Sequence, residues 1–156
     1  MNNNHYLCLI LVTSLLVGCN SSSDNLYLSC NGYSETINVY GNEIEVKKES
    51  LIIPVQIKRV DKFISRLFNP PVYEIRIGYT VFENSHLFVD ETQFVGTHKR
   101  TTDLNNNQYE SRFNINRNTN HLIYYDFSFS PKAKGKQKTQ KTIDFEGKCE
   151  KVKEKI

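Results

Sequence analysis

The chain has no tryptophan, no apolar run long enough to cross a bilayer as a helix, and no lysine or arginine ahead of its first apolar stretch. Tyr6 to Val17 is apolar apart from Thr13 and Ser14. About twelve residues at 1.5 Å each reach only about 18 Å, against a hydrocarbon core of roughly 30 Å. That excludes a spanning helix there and fits the apolar region of an export signal. Gly-x-Ser-x-Gly is missing, and so is any Gly-rich phosphate loop. A formal charge of +3 is too small to mark a nucleic-acid binder. His86, His98 and His121 lie on three separate segments, each beside a loop or turn, and are expected at the surface. Neither Cys30 nor Cys149 has a histidine nearby at zinc spacing. Asp90 and Glu91 are adjacent, so as strand neighbours they face opposite sides of a sheet. No metal site, no cofactor and no catalytic set is therefore expected.

What is present begins with Leu16-Val17-Gly18-Cys19 at the end of the apolar run. This quartet resembles the lipobox of bacterial lipoproteins. The resemblance implies that residues 1–18 are removed and that Cys19 receives lipid on its thiol. Asn20-Ser21-Ser22-Ser23-Asp24-Asn25 then reads as a flexible polar tether, with nothing to bury. Retention in the inner membrane is signalled in Gram-negative lipoproteins by Asp after the lipidated Cys. Asn20 stands there, so the resemblance implies the outer membrane, facing the periplasm. More than one acyl chain holds such an anchor firmly. Cys8 leaves with the signal and Cys19 is taken by lipid. Cys30 and Cys149 remain, and in an oxidising periplasm they are expected to form a disulfide.

Residues 26–156 form one domain with one core, and their dominant period is two, which marks β-strands. Leu26, Leu28 and Cys30 share a face, and Asn31-Gly32 reads as a turn after them. Thr36 to Tyr40 follows, and Gly41-Asn42 reads as a two-residue hairpin turn. Ile44 and Val46 return, and Leu51 to Ile57 contains Pro54, which points to an edge strand or a bulge. Val60, Phe63, Ile64, Leu67 and Phe68 repeat at three and four and predict a short helix, stopped by Asn69-Pro70-Pro71. Such a helix covers an open end of a sheet or lies on a membrane or partner; the first use is the commoner. Tyr73, Ile75, Ile77, Tyr79 and Val81 alternate as one long strand. Leu87 to Asp90 and Gln93 to His98 are two shorter ones, and Asp103 to Gln108 is a polar loop. Tyr109, Ser111, Phe113 and Ile115 lead through the turn Asn116 to Asn120 to Ile123, Tyr125, Phe127 and Phe129. On that parity Tyr124 points outward, as an exposed contact. In the last strand Ile143, Phe145 and Cys149 share one face. Both thiols then point to the core if the first and last strands are neighbours. The fold class is all-β: one small antiparallel barrel or sandwich of about eight to nine strands, with one short helix and one disulfide joining first and last strands. The hairpin at Asn116 to Asn120 followed by Phe145-Glu146-Gly147-Lys148-Cys149 resembles small exported bacterial β-proteins of unknown role, over the last forty or so residues.

Charge is concentrated late in the chain, with nine lysines against four acidic residues from Pro131 to Ile156. Lys132, Lys134, Lys136, Lys138 and Lys141 form its densest part. They read as a solvated loop, or as a contact for lipid headgroups, lipopolysaccharide phosphates, peptidoglycan carboxylates or an acidic protein. No aromatic residue interleaves with them, which argues against single-stranded nucleic acid. The expected partners are the membrane, through the lipid on Cys19, and a protein of the envelope; no feature specifies an oligomeric state. The function expected is a non-enzymatic binding module of inhibitor or immunity type. The alternative is a structural or envelope-assembly lipoprotein contacting peptidoglycan or lipopolysaccharide.

Overall fold

A computed structural model describes residues 25–60, 69–102, 106–131 and 139–153. The strands are β1 (Asn25–Tyr40), β2 (Glu43–Arg59), β3 (Tyr73–Ile77), β4 (Thr80–Phe82), β5 (Leu87–Val89), β6 (Gln93–Thr102), β7 (Asn107–Asn116), β8 (His121–Ser130) and β9 (Thr139–Val152). A single turn of 3₁₀ helix, Asn84–His86, separates β4 from β5. All nine strands among the described residues belong to one antiparallel sheet, ordered β4-β3-β2-β1-β9-β8-β7-β6-β5. That order consists of two meanders, β1 to β4 and β5 to β9, joined where β1 meets β9. One continuous sheet excludes the sandwich. It curls until its far ends meet through side chains: Phe82 of β4 packs on Phe113 of β7 with ring centres 4.6 Å apart, and Tyr73 of β3 on Phe94 of β6 at 5.4 Å. The result is a nearly closed barrel, with one hydrogen-bonded seam and one seam of aromatic contacts.

The covalent bond lies at the first seam. Cys30 and Cys149 are directly opposite in the β1·β9 register and form a disulfide. The Cys149 amide donates to the Asn120 carbonyl, on the side away from β1. The pair therefore occupies a non-hydrogen-bonded position, where facing residues approach most closely, and its Cα atoms are 3.8 Å apart. Both residues are buried with Leu28, Ile53, Val55, Ile57, Ile75, Ile77, Phe82, Phe94, Phe113, Ile115, Leu122 and Phe145. The inward parity expected for the two cysteines is the parity observed.

Several local expectations change. Asn31-Gly32 is not a turn, because β1 runs on without a break to Tyr40. Gly32 stands opposite Gly147, and a Cβ on it would lie 2.0 Å from the Glu146 carbonyl oxygen. Glycine is there for close approach of two backbones. The stretch from Tyr73 to Val81 is not one strand. Gly78 has φ +56° and turns the chain, so Ile77 pairs with Thr80 and Ile75 with Phe82. Phe82 thus points inward, and Tyr79 stands at the hairpin tip. The Gly41-Asn42 turn is present, with positive φ only at Gly41. Pro54 stands at an edge and not at a bulge, since the β1·β2 register runs through it one for one. β3 pairs β2 only from Val55 to Arg59, so β2 is an inner strand there and an edge before it. The predicted helix from Val60 to Phe68 falls, after Val60, outside the described residues.

The parity of β8 is the largest correction. Leu122 is fully buried and Ile123 is 53% exposed. Tyr124 therefore faces inward and is buried, while Ile123, Tyr125, Phe127 and Phe129 share the outer face. The turn before it forms as expected. Asn116 Oδ1 accepts the amides of Asn118 and Thr119 at 2.9 and 3.0 Å, and Asn120 takes φ +54°. Asp90 and Glu91 are not strand neighbours but lie in the β5–β6 turn. Asp90 Oδ1 accepts the Thr92 hydroxyl and the amides of Thr92 and Gln93 within 2.8 Å. These bonds, the Thr92 hydroxyl first, hold its carboxyl below the usual carboxylate range.

Candidate functional site

The inner face of the barrel changes character along its length. Below Phe113, Tyr124 and Phe145 it is apolar; beyond them the inward positions are His98 and Arg100 on β6, Ser111 and Tyr109 on β7, and Asp126 on β8. Strand pairing sets His98, Ser111 and Asp126 in one row across three strands. Ser111 and Asp126 are joined by a hydrogen bond of 2.6 Å, with the serine hydroxyl donating to Oδ1. On the other wall, Thr80 Oγ1 lies 3.4 Å from the Tyr124 hydroxyl, tying the β3–β4 hairpin to β8. Burial pushes the Tyr124 phenol above its ordinary value of 10.0, and the neighbouring Asp126 charge adds to this against the Thr80 hydrogen bond. Tyr124, Thr80, Ser111 and Asp126 are one connected polar cluster set on a dry floor.

Two open cavities flank this cluster. The first, of about 580 Å³, runs from Tyr79 and Glu83 past His86, His98 and Arg100 to Ser111 and Asp126. The second, of about 640 Å³, lies where β3 stops short along β2, between Leu51–Pro54, Tyr124, Asp126 and Lys141. Tyr79, Thr80 and Asp126 border both. Tyr79 is fully exposed and separates the two like a post. The walls carry both signs, with Arg100 and Lys141 against Asp126 and Glu83.

The histidines do not all behave as surface residues. His98 lies in the middle of β6 on the inner face, and its ring is 5.6 Å from that of His86 and 6.4 Å from that of Phe82. The 3₁₀ turn brings His86 to it; the Ser85 hydroxyl is 3.2 Å from His86 Nδ1. His121 is at the surface, 3.4 Å from Glu146. Among the described residues no hydrogen bond joins His98 to Ser111, whose hydroxyl proton is held by Asp126. No group of three His, Cys, Asp or Glu among them is placed to hold a metal ion. Of the residues singled out from sequence, Cys19, Lys132, Lys134, Lys136 and Lys138 lie outside the described residues. Lys141 is an exposed residue of β9 and lines the second cavity. The cluster itself was not expected. Its signal was Ser111, a polar residue on the parity of Phe113 and Ile115, since a polar group on a core-facing row is the informative exception.

The cluster makes a measurable prediction. A fold that favours the neutral phenol is stabilised below about pH 10, and this is lost as pH rises through the raised Tyr124 value. Asp126→Asn keeps an acceptor for Ser111 and removes the charge. It should move the Tyr124 titration down towards 10.0. Ultraviolet titration of tyrosinate, taken as a difference from Tyr124→Phe, reads the shift. An unchanged titration would show that the carboxylate does not act on the phenol.

No protein-family model, curated protein or solved structure matches the chain.

Proposed function

We propose that the chain is a lipoprotein of the bacterial cell envelope, anchored through Cys19, and that its β-domain is a non-enzymatic module that binds a protein in the manner of an inhibitor or an immunity protein. The observation that carries this reading is the Tyr79 hairpin tip, standing exposed between two cavities, largely apolar with a few polar groups, that share Thr80 and Asp126. A projecting tyrosine beside preformed pockets is the kind of anchor on which binding energy concentrates. The backbone behind the tip is tied to β8 through Thr80 and Tyr124, which lowers the ordering cost of the hairpin on binding. The lipobox and the tether after it support the placement of this surface in the envelope.

Two measurements in living cells test the proposal. Radioactive palmitate should label the chain, and Cys19→Ser should abolish the label; label retained in that variant defeats the anchor. A photoreactive phenylalanine analogue at position 79 should then give one discrete protein adduct. Asp126→Ala should weaken capture by about 2 kcal/mol, roughly 30-fold, the size of a hot-spot loss. A ladder of glycan adducts would favour the envelope-assembly reading instead, and no adduct at all would remove both.

A further inference from the structure

Among the described residues, β2 has a long backbone edge with no pairing strand. β2 pairs with β1 along nearly all of its length but with β3 only from Val55 to Arg59. From Glu43 to Ile53 no described strand covers its other side. The direction of its free groups follows from Pro54, whose carbonyl accepts the Gly78 amide on that side. In an antiparallel ladder alternate residues turn both amide and carbonyl the same way. Ile44, Val46, Lys48, Ser50 and Ile52 therefore present five donors and five acceptors outward.

Edges of this kind are usually blunted by charged side chains, by proline or by a bulge. Charges of both signs, unlike charges of one sign, can also pair across a two-fold axis. Here Glu43, Glu45, Lys47, Lys48 and Glu49 carry both signs, and Ile44, Val46 and Ile52 are exposed among them. We propose that this edge pairs antiparallel with the same edge of a second copy of the chain, with Lys48 on the two-fold axis.

The register follows from length and charge. Lys48 is the midpoint of the free stretch from Glu43 to Ile53, so pairing about it covers the whole edge of both copies. Ile44 then faces the second copy's Ile52, Val46 faces its Ser50, and Lys47 faces its Glu49. Lys47 and Glu49 already attract each other within the chain at 2.6 Å. Two such pairs form a cluster of four charges of alternating sign. The two Lys48 residues meet at the axis, but each is offset by its own Glu35 at 2.7 Å. Moving the axis to Val46 sets Glu43 against Glu49 and leaves Ser50 to Ile53 uncovered. Moving it to Ser50 leaves Glu43 to Val46 uncovered. Five facing pairs exchange about ten hydrogen bonds, the number that a standard protein interface carries.

The full chain, extracted in mild detergent, should have twice the protein mass of one copy by sedimentation equilibrium. Val46→Pro removes an edge-facing amide that has no partner within the described residues, so the fold should persist by circular dichroism while the mass halves. Cysteine placement tests the register. Lys48→Cys should cross-link to itself on oxidation, because facing residues of a hydrogen-bonded pair lie about 5.5 Å apart, within disulfide reach. Val46→Cys should not, since its two copies lie about 14 Å apart along the strands. A monomer at every concentration overturns the proposal. So does a dimer that Val46→Pro leaves intact, or one that cross-links equally at positions 46 and 48.

Discussion

Replacing both Cys30 and Cys149 by alanine is expected to destabilise the domain by about 5 kcal/mol, the chain-entropy value for a loop of this length. The two residues are 119 apart in sequence, and the bond acts mainly by restricting the unfolded chain. Its position makes the effect large. β1 and β9 are where the two meanders join, and the bond pins the β1·β9 ladder, the one described strand pairing between the two meanders. Bringing β1 against β9 closes nearly the whole chain, so the ordering cost of this contact is the greatest in the molecule. Set against the total of about 5–15 kcal/mol usual for a domain, the loss is a third or more. Urea unfolding of the oxidised protein and the double variant reads it directly. A difference under about 1 kcal/mol would mean that the unfolded chain already holds its ends together.

The same seam was the part of the fold most legible in the sequence. Cys30 shares parity with Leu26 and Leu28, and Cys149 with Ile143 and Phe145, so two short alternations aim both thiols at one core. Alternation alone could not report where polar and apolar faces exchange roles. On β8 the bulkier apolar row, Ile123 to Phe129, lies outside. The inner row begins with Leu122 and Tyr124 and then turns polar at Asp126, because there the barrel opens. A rule that sends the larger apolar row inward fails wherever the interior becomes a mouth, and the candidate site is at that mouth. Glycine misled for a related reason. Gly32 and Gly78 look alike in the sequence, yet one permits two backbones to touch and the other turns the chain. Only the strand opposite distinguishes them. The meeting of His86 and His98 was equally hidden, since it depends on the Gly78 turn that carries the chain back across the barrel.

The second seam has no disulfide and no strand pairing among the described residues, and its prediction follows from that. Phe82→Ala is expected to cost about 3–5 kcal/mol, the range for deleting a buried phenylalanine. Phe82 is fully buried and stacks edge-on against Phe113, from the opposite meander. β4 has only three residues and pairs only with β3, so the hairpin has little else to hold its far side to the barrel. The damage should therefore be local as well as global. Backbone amides of β3 and β4 should lose hydrogen-exchange protection first, while those at the β1·β9 pairing keep theirs. The Tyr124 phenol should titrate at lower pH, because its burial, the largest cause of its raised value, depends on the hairpin staying in place and outweighs the opposing Thr80 hydrogen bond. Phe82→Leu, which preserves most of the buried volume, should do much less. If Phe82→Ala costs under about 1 kcal/mol, a loss typical of surface positions, the barrel is in effect an open sheet. The two cavities would then share no rigid wall, and Tyr79 would not be a preformed anchor.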